Sequence, residues 1–382
     1  MRFAFTVNQK MCNEVFWKRL CSNNDKILLS YKQITQLNQS ITSEKETKTY
    51  DLEKIDGNFR YSVCINRANI KQEPTKKING LYDSNQLTSL NVNEPFVIVK
   101  EKTINNQVYY WGYCQNYTGW VSAESMAICK NKQEWLNSWK VDSNKKNFLV
   151  ITQDKIITEQ SLYSPGISNI QLMMGTTLRL VPDRLLPDSI DNRCLWNNYA
   201  VYLPTRDKNG NYKKSIVLIS QHYHVSIGYL PLTESSILQL AFSCLGNRYG
   251  WGGMLGSMDC SMFTRSIYKC FGLELPRNAS EQKKIPNYVT DISNLSNSKK
   301  QKYISSLHAG ALLYFPGHTM VYIGTYNKIN YVISAVGSLC DSAKSSNYMS
   351  ANSIVITPLT VKRKDGTTWI KNIDKVVSFI WI

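Results

Sequence analysis

The sequence predicts a multidomain chain in which two small all-β domains precede an α+β domain, with a short helical segment at the N-terminus. Three observations carry this. The 382 residues exceed the usual range of one domain. Short alternating apolar runs bounded by turn residues fill two separate stretches before residue 233. Beyond that point the apolar period becomes helical and then returns to strand.

Residues 1–57 are polar and rich in Lys, Asn and Gln. A helix is expected from about Asp25 to Ile41, with Leu28, Ile34 and Leu37 on one stripe. Such a segment cannot form a domain alone and is expected to clip onto the rest. Residues 58–130 contain YSVCI, PFVIVKE, VYYWGYC and GWVSA separated by turn-rich pieces, which predicts a small barrel. Residues 131–146 read as a short helix and linker. Residues 147–232 form a second barrel from NFLVIT, TTLRLV, YAVYLP, SIVLIS and SIGYLP, with a hairpin turn at Asn209-Gly210.

A new domain begins at residue 233 and runs to 382. Thr233 is placed to cap a helix whose apolar face is Ile237, Leu240, Ala241, Cys244 and Leu245. A Gly-rich loop, a second helix and a long polar connection follow. Five strand-like runs close the chain: ALLYF, MVYIG, YVISAV, SIVITP and VVSFIWI. Helices first and an antiparallel sheet after is an α+β order.

Formal charge is +17, which favours an anionic partner such as nucleic acid, acidic lipid or an anionic polymer. The basic residues are scattered, and neither a zinc-finger spacing nor an RNP-type motif is present, so nucleic acid is not expected. No run approaches the roughly 18 apolar residues of a membrane span, so a soluble chain is expected. The N-terminus shows no apolar h-region, which reads as cytoplasmic for the chain as written, or as cell envelope or secreted if a leader is removed or another route is used. Ten cysteines include no CxxC pair, and a disulfide framework is not expected.

Chemistry concentrates at one place. The loop LGNRYGWGGM ends in Asp259-Cys260-Ser261, and Phe263, Ile267, Cys270 and Phe271 then recur at helical spacing. Cys260 therefore opens a helix, where unsatisfied N–H groups and the dipole favour thiolate over thiol. Its own N–H is placed to help hold an oxyanion. Of the four histidines, His318 follows Phe315-Pro316-Gly317 and opens a strand, where it can face a helix start as general base. His222 and His224 alternate on a second-barrel strand, and His308 sits in a solvated turn.

Together LGNRYGWGG, DCS, LPRNASEQ and FPGH resemble, in order and spacing, the NlpC (P-sixty) family of bacterial cell-wall endopeptidases. Upstream, NVNEPFVIVKE with YTGWVSAESMA and NYAVYLPTRDKNGNY with VSIGYLPLTESSILQLAF are similar to the two SH3-like barrels that some relatives carry. The resemblance implies a papain-like catalytic domain that cleaves the γ-D-glutamyl bond to meso-diaminopimelate or lysine in peptidoglycan stem peptides or muropeptides, with no metal or other cofactor. It implies Cys260 as nucleophile and His318 as base. Tyr249 and Trp251 would line the cleft, with the Tyr249 hydroxyl near the oxyanion. Asp259 and Ser261 would help hold the peptide's free amine, and Ser280 would contact substrate. Trp111 and Tyr113 are candidates for a wall restricting the site to small muropeptides.

One position departs from the pattern. The group that orients the base, a His or other polar residue in the family, is Ser334 here, with Ser338 and Asp341 as substitutes. That departure keeps a binding-protein reading open, in which an impaired relative holds wall polymers. Acyl transfer is the other alternative, because a thioester can be captured by an amine or hydroxyl instead of water.

Overall fold

A computed structural model describes residues 25–44, 49–55, 57–75, 78–79, 82–340 and 348–379. The chain is mixed α/β with several sheets and folds as two compact units. One holds the described part of Met1–Thr47 with Pro231–Gly250 and Ser257–Ile382; the other holds the described part of Lys48–Leu230 with Trp251–Gly256. Asp341, Cys12 and Cys21 lie outside the described residues, as does most of the N-terminal clip.

The first described helix is α1 (Tyr31–Ser43), later than the sequence suggests. Ser30 sets its start through a capping box: its side chain accepts from the Gln33 N–H, and Gln33 reaches back to the Ser30 N–H. Ile34, Leu37 and Ile41 are buried along it, whereas Leu28 precedes it and donates its N–H to Leu232. Asn38 bonds the Gly272 carbonyl and the Glu274 N–H, which joins α1 to its own unit.

In the other unit, strands β1 (Arg60–Cys64) and β2 (Ala68–Lys71) are followed by a small ribbon of β3 (Ile78–Asn79) and β4 (Tyr82–Asp83). Then come β5 (Gln86–Leu90), β6 (Pro95–Ile104), β7 (Gln107–Tyr113), β8 (Thr118–Ser122) and β9 (Met126–Ile128). Apart from the ribbon these make one antiparallel sheet in the order β5-β2-β8-β7-β6-β1-β9, around a core that includes Ile70, Phe96, Ile98, Val121 and Met126. Trp111 and Tyr113 lie on β7 with ring centroids 5.9 Å apart. Helix α2 (Lys132–Trp139) buries Trp135, whose indole N–H donates to the Ser62 carbonyl.

The rest of this unit has three small sheets. Strand β10 (Phe148–Ile151) pairs with β13 (Thr177–Arg179) and β16 (Val225–Ile227). Strand β11 (Lys155–Ile157) pairs with β12 (Gln171–Met173), and β14 (Asn198–Arg206) with β15 (Tyr212–Ser220). They share a core of Leu149, Ile151, Leu172, Leu178, Val201, Leu203 and Ile219. His222 and His224 are exposed in the turn between β15 and β16, not alternating on a strand, because Ser220 and Val225 end the flanking ladders.

The unit that carries Cys260 begins with α3 (Glu234–Ser243), capped by Thr233, and α4 (Cys260–Lys269). A one-turn α5 (Ala279–Gln282), strand β17 (Val289–Asp291) and α6 (Asn297–Ser305) follow. The last two fall in the stretch the sequence marks only as a polar connection. Helix α6 is mostly polar and is held by Ile304, buried in the core with Tyr303 packed beside it, and by the Lys300 ammonium bonded to the Lys371 and Ile373 carbonyls. Strands β18 (Leu312–Phe315), β19 (His318–Tyr326), β20 (Ile329–Cys340) and β21 (Tyr348–Pro358) precede α7 (Trp369–Asn372) and β22 (Lys375–Val377). The sheet runs β17-β22-β18-β19-β20-β21, all antiparallel. Among the described residues no helix is long and apolar enough to cross a membrane.

Candidate functional site

Cys260 is the first residue of α4 because Asp259 caps that helix, its carboxylate accepting from the Met262 N–H at 2.9 Å. Helix α4 is held by its buried face, including Phe263, Ile267 and Tyr268, and packs on β19 and β20. The packing sets the Cys260 sulfur against the beginning of β19, where it accepts from the Thr319 N–H as well as from the Ser261 N–H. His318 is the residue before Thr319 and the first of β19, paired with Phe315 across a two-residue turn. Gly317 takes a φ of 85° there, a value that L side chains rarely adopt.

The imidazole is held on three sides. Its Nε2 is 3.1 Å from the Ser334 Oγ, which projects from β20 and is fully buried. Phe315 and Trp369 flank it, each ring centroid 5.2 Å from the imidazole. With Nε2 engaged by Ser334, Nδ1 is the nitrogen left for proton transfer.

Electrostatics differ from the sequence expectation. Burial pushes the Cys260 thiol up to about 12, with the Asp259 carboxylate adding to it, and this outweighs the Thr319 and Ser261 N–H groups and the Arg277 charge that pull it down. Burial, with Arg363 second, holds the imidazole of His318 down to about 4. The resting pair is neutral thiol and neutral imidazole. The helix start supplies the expected N–H groups, but desolvation of a half-buried sulfur is the larger effect.

Beneath the nucleophile lies a buried ion pair. Arg277 donates to Asp259 Oδ1 at 3.0 Å and Oδ2 at 2.6 Å, and to the Ser261 Oγ at 2.8 Å. Both Asp259 and Ser261 are therefore taken up in shaping the helix start. Gln282 extends the arrangement, donating to the Ser261 and Pro276 carbonyls and accepting from Thr264. Ser280 is exposed on the outer side of α5.

Tyr249 is half-buried, bridges to Met258, and donates its N–H to the Asn352 carbonyl. It belongs to the compact unit that contains Cys260. Trp251, 48% exposed, belongs to the segment Trp251–Gly256, which packs in the other unit. There Gly252 and Gly253 offer their carbonyls to Gln86 and Arg67, each at 3.0 Å. The structure thus brings together Cys260, His318, Ser334, Asp259, Ser261 and Tyr249 in one unit. Ser338 makes β-ladder contact with Ser350, four residues along β20 from Ser334.

Sequence reasoning assigned no role to Arg277, Gln282, Phe315, Trp369 or Arg363. Arg277 and Gln282 fall inside LPRNASEQ, so their signal was present without its meaning. Nothing near His318 in the chain points to Trp369 or Arg363, which the sheet returns to the site.

The NlpC/P60 family profile matches residues 246–357. A γ-D-glutamyl-L-lysine dipeptidyl-peptidase of Bacillus subtilis (strain 168) is 32% identical over 124 residues, 31% of this chain; the chain spans 38% of that relative's length. Among solved structures, an NlpC/P60 endopeptidase from Photobacterium damselae subsp. piscicida superposes with TM-score 0.65 at 18% identity, covering 98% of this chain and 93% of that one. An NlpC/P60 family protein from Bacillus cereus ATCC 10987 gives 0.54 at 15% identity, over 84% of this chain and 100% of that one. These two likenesses concern the fold. Residues 246–357, which contain Cys260, His318 and Ser334, are an NlpC/P60 family domain.

Proposed function

We propose that the protein is a cysteine endopeptidase of peptidoglycan stem peptides, cleaving the γ-D-glutamyl bond to a diamino acid, meso-diaminopimelate or L-lysine. The observation that carries the reading is Cys260 opening a helix that packs on β19, the strand His318 begins, with the His318 Nε2 held 3.1 Å from the Ser334 Oγ. The likeness to a γ-D-glutamyl-L-lysine dipeptidyl-peptidase of Bacillus subtilis supports the choice of bond.

Nδ1 of His318 takes the thiol proton as the Cys260 sulfur attacks the γ-carbonyl carbon. Among the described residues no acceptor takes the Cys260 N–H, so it is available to the tetrahedral oxyanion. Collapse of the intermediate breaks the C–N bond, and the imidazolium returns its proton to the leaving amine. A water, deprotonated by the same imidazole, then cleaves the thioester. Tyr249 and Trp251 are assigned to substrate binding, as is the exposed Ser280. Asp259 and Ser261 are better read as positioning residues, given their bonds to Arg277.

Residues 58–130 and 147–232 are proposed as SH3-like barrels joined by a linker at 131–146, with 1–57 as a clip and 233–382 as the papain-like catalytic domain. The antiparallel seven-stranded sheet and the three smaller sheets support this division. A second reading, an impaired wall-binding protein, draws on the thiol pushed up to about 12 and on a serine standing where a ring would orient the base.

Incubation with L-Ala-γ-D-Glu-L-Lys or its meso-diaminopimelate analogue, followed by mass spectrometry, tests the proposal. Release of L-Ala-D-Glu and the free diamino acid, abolished in Cys260→Ala, is the expected result. Intact peptide that nevertheless binds would support the second reading, and a ligated product would indicate acyl transfer.

A further inference from the structure

A permanent cation stands beside the catalytic base with no partner that the proposed reaction uses. Arg363 opens a tight turn: its N–H donates to the Thr367 carbonyl at 2.8 Å, and its carbonyl accepts from the Gly366 N–H at 2.9 Å. Lys362, just before it, bridges to both Cys340 and Thr368, so the turn is anchored on the sheet. From there the guanidinium carbon lies 5.0 Å from the centroid of the Phe315 ring. The same ring also neighbours His318, at 5.2 Å between centroids, with Trp369 closing the cluster at 5.5 Å from Phe315.

Among the described residues Arg363 has no ion-pair partner. Asp365, on the same turn, accepts from the N–H and hydroxyl of Thr367. Asp259, the carboxylate beside Cys260, is held by Arg277. Cys260 faces the base from α4 as a neutral thiol, and Ser334, Phe315 and Trp369 bring no charge.

A fixed positive charge in that position opposes the reaction, because His318 has to become imidazolium when it takes the thiol proton. The opposition disappears when an anion arrives with the substrate. The proposed reaction also says on which side that anion lies. His318 hands its proton to the leaving nitrogen, so the leaving residue sits over the imidazole. Its α-carboxyl is one carbon from that nitrogen, and the cation stacked on the aromatic cluster around the imidazole is Arg363.

We propose that Arg363 is a specificity-determining residue that pairs with the α-carboxylate of the leaving diamino acid, so that stem peptides ending at that residue are favoured over those extended beyond it. The inference rests on the cleavage reading above. Pairing neutralises the guanidinium as substrate binds, and the imidazole regains basicity at the moment it is needed.

The test compares kcat/KM of the wild type, Arg363→Gln and Arg363→Lys on three peptides. These are L-Ala-γ-D-Glu-L-Lys with a free C-terminus, its C-terminal amide, and the free acid carrying an amide at the glutamyl α-carboxyl. The wild type should prefer the free acid to the C-terminal amide by about tenfold to a hundredfold, the range for a charge-assisted hydrogen bond. Arg363→Gln should erase that preference by losing rate on the free acid while the C-terminal amide, freed of the opposing charge, holds or gains rate, and Arg363→Lys should keep part of it. Equal losses on acid and C-terminal amide would overturn the assignment, as would a loss that follows the glutamyl carboxylate. If the wild type cleaves none of the three, the cleavage reading itself falls; cleavage without charge discrimination removes only the role of Arg363.

Discussion

His318 Nε2 and Ser334 Oγ stand 3.1 Å apart, with the hydroxyl fully buried on the neighbouring strand. Ladder pairing of β19 with β20 fixes that distance, matching Val321 with Ile333 beside the pair. The contact engages Nε2 and leaves Nδ1 as the other ring nitrogen. Ser334→Ala should lower kcat by up to about a hundredfold while KM changes little, because it frees the ring to turn without touching substrate. Steady-state kinetics on a cleavable stem peptide checks this. A variant with wild-type kcat would show that Phe315 and Trp369 orient the ring unaided.

Cys260 should alkylate slowly in the resting enzyme. With its thiol pushed up to about 12, the rate of labelling by iodoacetamide should climb steadily above pH 8 and show no plateau near neutrality. A rate already constant at pH 6 would reveal a thiolate–imidazolium pair.

The base should also leave a mark on acid stability. His318 is held down to about 4 in the fold, against 6.5 ordinarily. Between those values the unfolded chain binds the extra proton, so stability is fully present above pH 6.5 and falls as pH drops toward 4, by about 3 kcal/mol. Denaturant midpoints across this window should slope less in His318→Gln than in the wild type. Equal slopes would refute the assignment.

Removing one partner of the pair beneath the nucleophile should be far worse than removing both. Arg277 and Asp259 are each almost wholly buried, and Arg277→Met strands a carboxylate at a loss of about 3–5 kcal/mol. Combining it with Asp259→Asn should recover part of that loss, because the amide keeps an oxygen for the Met262 N–H. Chemical denaturation of the two variants makes the comparison.

Gly252 has a φ of 56°, and a Cβ there would come within 2.7 Å of the Gln86 side chain. Gly252→Ala should lower stability by about 1–3 kcal/mol and loosen the segment that ends in Gly256. Thermal unfolding together with proteolysis of the loop would register both effects.

Local chemistry made part of this protein legible in one dimension. Asp259 before Cys260 announces a cap, and the apolar spacing after it announces a helix, so the nucleophile's position depends on neighbours within a few residues. The same holds for His318 at a strand start after Pro316-Gly317, whereas Ser334 came only from the resemblance to the NlpC family. Helix α1 was legible in kind but misplaced at its start, because Ser30 and Gln33 decide the boundary through a pair of side-chain bonds. Helix α6 was hidden, since its apolar hold is the short pair Tyr303 and Ile304 and the rest of its anchoring is Lys300 reaching carbonyls far along the chain.

The sequence by itself thus determined where Cys260 and His318 stand, at a helix start and a strand start, and the order of elements that carry them, since caps, turns and apolar periods act over a few residues. Tertiary structure alone decided the company they keep. Arg277 reaches Asp259, and Trp369 and Arg363 come to the side of His318, only when the sheet closes. It also reversed the charge state expected of Cys260. A helix start acts on the sulfur through neighbouring N–H groups, whereas desolvation sums over every atom the fold packs around it, and here the sum is larger.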